Sequence, residues 1–167
     1  MARSAKNSKK ARGVAHRAVK GSGTSVTRQP RRAAGFGSFV VMESAPAAKI
    51  EVIRNGVTAR VVDDMVTYLG VSKTDIFRVL RTPESTAHKL IKENRPLDAA
   101  ASERVVRVAD ITRLAEETFG GQEAARQWLT NPNLALEEAT PLSMLDTEPG
   151  AGEVRRILSA INYGGAF

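Results

Sequence analysis

The chain has 167 residues, of which 42% are hydrophobic and only 5% aromatic, with a formal net charge of +7. That composition supports one domain or two small ones, cored by aliphatic, helix-type packing. The absence of cysteine excludes disulfides and thiolate metal sites, and two isolated histidines, His16 and His88, give no ligand cluster. A cytoplasmic protein with no cofactor and no metal is the expectation.

The charge is unevenly spread. Ten of the 25 Lys and Arg lie at or before Arg32, whereas the first acidic residue is Glu43. Beyond Arg32, 15 basic residues face 18 acidic ones, a net of −3, so the high isoelectric point belongs to the N-terminal arm. A polybasic arm attracts phosphate backbones by releasing counterions, although solvated basic tails without that use are common.

Residues 1–45 read as a disordered basic tail, rich in Ala, Gly, Ser, Lys and Arg and too poor in periodic apolar residues to offset chain entropy. On this reading, deletion of Met1 to Gly37 leaves folding intact. The stretch ending in Arg31-Arg32, followed by Ala33 to Met42, imitates a signal or transit peptide. Its apolar part is short and broken by Gly35 and Gly37, so export is not expected. No apolar run approaches a membrane span.

Residues 46–97 and 98–167 then read as two helical regions of an all-α protein. Lys49-Ile50-Glu51-Val52-Ile53 alternates, as a short extended segment would. Val57, Val61, Val62, Met65, Val66 and Leu69 recur at helical spacing, with Gly70 as a left-handed stop. Ser72 and Asp75 form a capping-box pattern that opens a helix through Ile76, Val79 and Leu80. Thr82 as N-cap and Pro83 at the first helical position begin the next helix, which carries Ala87, Leu90 and Ile91 inward. A long helix runs from about Asp98 to Phe119, a short one from Gln122 to Leu129, a turn of helix follows Thr140-Pro141, and a last helix spans Glu153 to Ile161.

The helices at about 72–80 and 83–93, joined by a tight link, fit a helix-turn-helix. Its second helix presents Glu84, Ser85, Thr86, His88, Lys89 and Lys92 outward, with Arg95 just beyond. Ser85, Thr86, Lys89, Lys92 and Arg95 are the candidate DNA-binding residues, since hydroxyls and cations can bond base edges and phosphates. Two short helices with a turn also occur as plain scaffold in helical bundles, and the pattern alone leaves both readings open. No catalytic constellation is visible. Gly35-Phe36-Gly37 lacks the remainder of a phosphate-binding loop, and the Asp63-Asp64 and Glu116-Glu117 pairs point in different directions along their helices. Trp128 reads as a core anchor.

From Ser102 onward the chain resembles the Xre/MbcA/ParS antitoxins. The resemblance is carried by Ser102-Glu103-Arg104-Val105-Val106-Arg107-Val108-Ala109, Ala115, Phe119-Gly120, Ala125, Trp128-Leu129, Asn131-Pro132-Asn133 and Ala135-Leu136. It continues through Thr140-Pro141-Leu142, Leu145, Thr147, Gly150, Val154, Leu158, Ile161 and Tyr163-Gly164. Upstream, Arg54-Asn55-Gly56-Val57 and Leu69-Gly70-Val71-Ser72 resemble the family's helix-turn-helix half. One departure stands out: Glu137-Glu138-Ala139 replaces a Gly-containing turn, where a left-handed backbone is unfavourable for these residues.

The resemblance implies a non-enzymatic antitoxin, with an Xre-like helix-turn-helix at 46–97 and a toxin-binding domain at 98–167. Its implied partners are a RES-domain toxin that consumes NAD or uses it for ADP-ribosylation, the operon's own promoter DNA, and a second copy of the chain. It also implies that the C-terminal tail covers the toxin's active-site cleft. Asn162, Tyr163, Gly164, Gly165 and Phe167 are therefore the candidate toxin-binding residues, Tyr163 being able to bury its ring and still bond through its hydroxyl. The alternative is a stand-alone DNA-binding regulator whose C-terminal domain only dimerises.

Overall fold

The computed structural model describes residues 35–41 and 45–164. The expected basic tail lies, for the most part, outside these residues. The described residues form helices α1 (Phe36–Val40), α2 (Pro46–Asn55), α3 (Val61–Leu69), α4 (Lys73–Leu80), α5 (Glu84–Lys92), α6 (Ala99–Phe119), α7 (Gln122–Thr130) and α8 (Glu148–Asn162). Two 3₁₀ turns, Leu134–Leu136 and Ser143–Asp146, fall between α7 and α8. The class is all-α, as expected. Among the described residues no helix is long and apolar enough to cross a membrane.

The long helix α6 is the axis of the fold, and α1, α2, α4, α7 and α8 all pack on it. Asp98 caps it by accepting from the Ala101 N–H at 2.7 Å, and Gly120 ends it in a left-handed conformation. Val105, Val108, Ile111 and Ala115 are each at most 1% exposed, so the apolar stripe runs through Ile111, and Leu114 packs at its edge. At 21 residues, α6 is roughly 30 Å long, enough to carry both halves of the molecule.

The helix-turn-helix caps form much as the sequence predicts. Ser72 Oγ accepts from the Asp75 N–H at 3.2 Å, and Asp75 Oδ2 accepts in return from the Ser72 N–H at 3.3 Å. Gly70 closes α3 with φ 67°. α3 begins at Val61, later than expected, because Val57 is committed to an extended contact: its N–H donates to Ser102 Oγ at 2.9 Å, and its carbonyl accepts from Leu97 at 2.8 Å. The start of α5 shifts by one residue: Pro83, with ψ 136°, is itself the cap, and the Thr82 hydroxyl turns to the Leu80 carbonyl at 3.4 Å.

Four further expectations are corrected. Residues 49–53 are helical, not extended. Pro46 suits a first helical turn, and Lys49, Val52 and Ile53 share a face at i, i+3 and i+4. From that face Val52 packs into the core and Lys49 Nζ reaches Asp110 Oδ1 at 2.6 Å. The disordered reading extended too far: Phe36 is 0% exposed and Val40 1%, both packed in the core beside α3 and α6. α8 starts at Glu148, before the expected Glu153, because Thr147 Oγ1 accepts from the Gly150 N–H at 3.2 Å and Pro149 fits the first turn. A Cβ on Gly150 would overlap the Met144 carbonyl, so the start of this helix depends on that glycine. Trp128 is only half-buried, tilted against Phe119 with ring centroids 5.4 Å apart, while the neighbouring Leu129 is 0% exposed.

α1 acts as a clasp. Phe36 meets Tyr68 edge-on, with centroids 5.4 Å apart, and Gly37 lies so close to the Tyr68 ring that a Cβ would come within 3.3 Å of it. The Tyr68 hydroxyl donates to Glu116 Oε1 at 2.7 Å, joining α3 to the end of α6. Burial, reinforced by the Glu116 carboxylate, pushes the Tyr68 phenol above its ordinary range. Phe36→Ala is therefore expected to destabilise the fold by about 3–5 kcal/mol, the usual loss for a large buried aromatic. The same loss is expected on deletion of Met1 to Gly37, which sequence alone treats as harmless. A melting temperature unchanged in either variant would show that α1 is not part of the core.

Candidate functional site

α5 packs on α4, and its inward face carries Ala87, which is 1% exposed, and the half-buried Leu90 and Ile91. Its opposite face is free to meet a ligand. Ser85, Thr86, Lys89 and Lys92 are all exposed, and the i, i+4, i+7 spacing of Ser85, Lys89 and Lys92 aligns them along one side. Arg95 lies beyond the helix, exposed and 3.6 Å from Glu93, in the segment whose carbonyl accepts from the Ala59 N–H at 3.0 Å. His88 is exposed but rests edge-on against Phe77, with centroids 5.2 Å apart, so it supports the helix as well as facing outward.

The α4–α5 turn adds a cation that sequence reasoning missed. Arg81 ends α4 in a left-handed conformation, φ 51°, and is exposed. The signal was present as Arg-Thr-Pro between two helices, but the positive φ that sets Arg81 at the corner depends on the packing of both helices.

At the other end, Val154, Ile157 and Leu158 are at most 3% exposed, and the apolar contact then fades: Ile161 is 38% exposed and Tyr163 90%. Asn162 and Gly164 are exposed as well. The Tyr163 N–H closes the helix on Ser159 O at 3.0 Å, and Gly164 turns away with φ 69°. Gly165 and Phe167 lie outside the described residues.

Two arginines of α6 tie these ends to the body. Arg104 donates through Nη1 to Leu80 O at 3.3 Å, at the end of α4, and through Nε to Asp146 O at 3.1 Å, just ahead of α8. Arg107 is 9% exposed and donates to Leu145 O at 3.1 Å and Glu103 Oε2 at 2.7 Å. Its Nε stands 3.1 Å from Glu148 Oε2, an ion pair by distance in which the N–H is not aligned for a hydrogen bond. Two partly exposed carboxylates thus offset one buried guanidinium. Arg155, by hydrogen bonding, holds Glu148 below the usual carboxylate range.

The segment replacing the expected Gly turn does adopt a left-handed backbone, with φ 53° at Glu137 and 67° at Glu138. Each such residue costs about 1–2 kcal/mol relative to its relaxed conformation. Glu138 is exposed, so Glu138→Gly relieves strain without removing packing. It is expected to raise stability by about 0.5–1 kcal/mol after the added entropy of the unfolded glycine is subtracted. A thermal melt checks this, and a lowered midpoint would mean the Glu138 side chain itself supports the loop.

Among the described residues no three His, Cys, Asp or Glu side chains gather in a way that could hold a metal ion. The fold and its exposed ends define a helix-turn-helix protein with an appended helical domain. The Antitoxin Xre-like helix-turn-helix domain matches residues 48–110, and the Antitoxin Xre/MbcA/ParS C-terminal toxin-binding domain matches residues 114–164. The two matches meet within α6. A relative from Sphingobium sp., the Prs ADP-ribosylating antitoxin, is 30% identical over 138 residues, covering 77% of this chain and 87% of the relative. Antitoxin Xre of Pseudomonas putida is 35% identical over 82 residues, 49% of this chain and 52% of the relative. Antitoxin Xre of Photorhabdus laumondii is 28% identical over 114 residues, 68% and 77% respectively. The chain belongs to the Xre/MbcA/ParS antitoxin family.

Proposed function

We propose that this antitoxin neutralises a cytoplasmic RES-domain toxin that consumes NAD or uses it for ADP-ribosylation, by laying its C-terminal tail over the toxin's active-site cleft. The observation that carries the reading is Tyr163, a large amphipathic side chain 90% exposed at the end of α8, beyond the last buried position, Leu158. Such a group gains by entering a cleft, where the ring is buried and the hydroxyl keeps a partner. The name of the Sphingobium relative, which pairs ADP-ribosylation with an antitoxin, supports the substrate class.

In the same reading residues 46–97 bind promoter DNA and residues 98–167 bind toxin. The protein would act as a homodimer on paired half-sites, with Ser85, Thr86, Lys89, Lys92 and Arg95 against the duplex. No catalytic step is assigned to the antitoxin itself. The test is to look beside the gene for a RES-domain reading frame and to titrate the antitoxin into an NAD-consumption assay of its product. Stoichiometric inhibition supports the reading, and unchanged NAD turnover at saturating antitoxin overturns it.

A further inference from the structure

Between α7 and the second 3₁₀ turn, the fold leaves one large apolar side chain in water. Leu134 is 85% exposed, whereas Leu136, two positions on, is 6% exposed and pins the loop to the core. The loop is closed by its own hydrogen bonds. The Asn133 N–H donates to Ala139 O and the Glu138 N–H to Asn133 O, both at 3.1 Å, and Asn133 Oδ1 accepts from the Ala135 N–H at 2.9 Å. Closure also requires the left-handed backbone at Glu137 and Glu138. Isolated, the chain thus holds a leucine against solvent on a strained and already ordered loop. A partner that covers Leu134 gains the burial of an apolar group with little further loss of freedom, because the loop is already ordered.

We infer that Leu134 is a second anchor for the toxin, seated in an apolar pocket whose rim presents basic groups to the exposed Glu137 and Glu138. The occupant follows from position: Leu134 falls within residues 114–164, the segment matched by the toxin-binding domain. This inference rests on the antitoxin reading above and adds to the tail a contact from a different, rigid loop.

The experiment measures the affinity of the full chain and its variants for the purified RES-type product of the neighbouring reading frame, together with melting temperature and mass in solution. Leu134→Ala is expected to raise Kd about tenfold, the scale of losing one buried leucine, and Leu134→Asp by more, because it places an unpaired charge in the pocket. Neither variant is expected to shift the melting temperature, since the side chain touches little of its own fold. The Glu137→Lys, Glu138→Lys double variant is expected to weaken binding most at low salt. An unchanged Kd for both Leu134 variants overturns the inference while leaving the antitoxin reading intact. An unchanged Kd with a reduced mass also overturns it and assigns Leu134 to self-association. Absence of binding by the unaltered chain overturns both.

Discussion

A chain stopped after Ile161 is expected to keep its melting temperature and its promoter affinity and to lose inhibition of the toxin's NAD consumption. The residues removed begin with Asn162, the last of α8, and include Tyr163, 90% exposed. The packing of α8 ends earlier, at Ile157 and Leu158, which are 3% and 0% exposed, so the truncation gives up a few terminal backbone hydrogen bonds and little core. The groups able to enter a cleft are lost altogether. Tyr163→Ala is expected to show a milder form of the same defect, on the scale of about 2 kcal/mol of binding energy for an aromatic hot spot. Full inhibition by the truncated chain would refute tail insertion and leave other surfaces, such as the Leu134 loop, to account for binding. The melt is measured alongside, since a collapsed midpoint would show that the terminal turn is structural.

The Lys89→Glu, Lys92→Glu double variant is expected to abolish promoter binding while sparing toxin inhibition. Both side chains are exposed, and they lie three positions apart on the last turns of α5. Reversing both charges changes the local balance by four where phosphates would lie, and phosphate contacts dominate affinity for DNA. Folding is expected to survive because the inward face of α5, Ala87 with Leu90 and Ile91, is untouched. The measurement is a gel-shift titration at two salt concentrations. Undiminished binding with an unchanged salt slope would mean that α5 is scaffold and that DNA is met elsewhere.

Much of the framework was legible without coordinates because its determinants are local. The Ser72–Asp75 capping box and the Gly70 stop each depend on residues within a turn or so of one another. The left-handed turn at Glu137-Glu138 was legible only through the family resemblance, which places a Gly-containing turn there, since two glutamates by themselves disfavour that backbone. The amphipathic face of α5 follows from spacing alone, and Ser85, Thr86, Lys89 and Lys92 are exposed as that spacing implies, whereas Asn162, Tyr163 and Gly164, also exposed, were singled out only by the family resemblance.

Tertiary structure decided what depends on distant partners. Lys49 to Ile53 is compatible with a strand or a helix by its own pattern, and the choice falls to Asp110, 61 positions away, and to the core that receives Val52. Phe36 sits in a glycine-flanked stretch with no period, and it becomes a core residue only through distant partners, Tyr68 of α3 and the side of α6. Trp128, by size and apolarity a natural centre of a core, is held at its edge because Leu129 takes the interior position on α7. Leu134 is the reverse case: hydrophobicity predicts burial, but a loop closed between Asn133 and Ala139 can turn only one of its leucines inward, and the core takes Leu136. Periodicity and caps are properties of neighbouring residues, whereas which apolar side chain is buried depends on the space that the rest of the chain leaves for it.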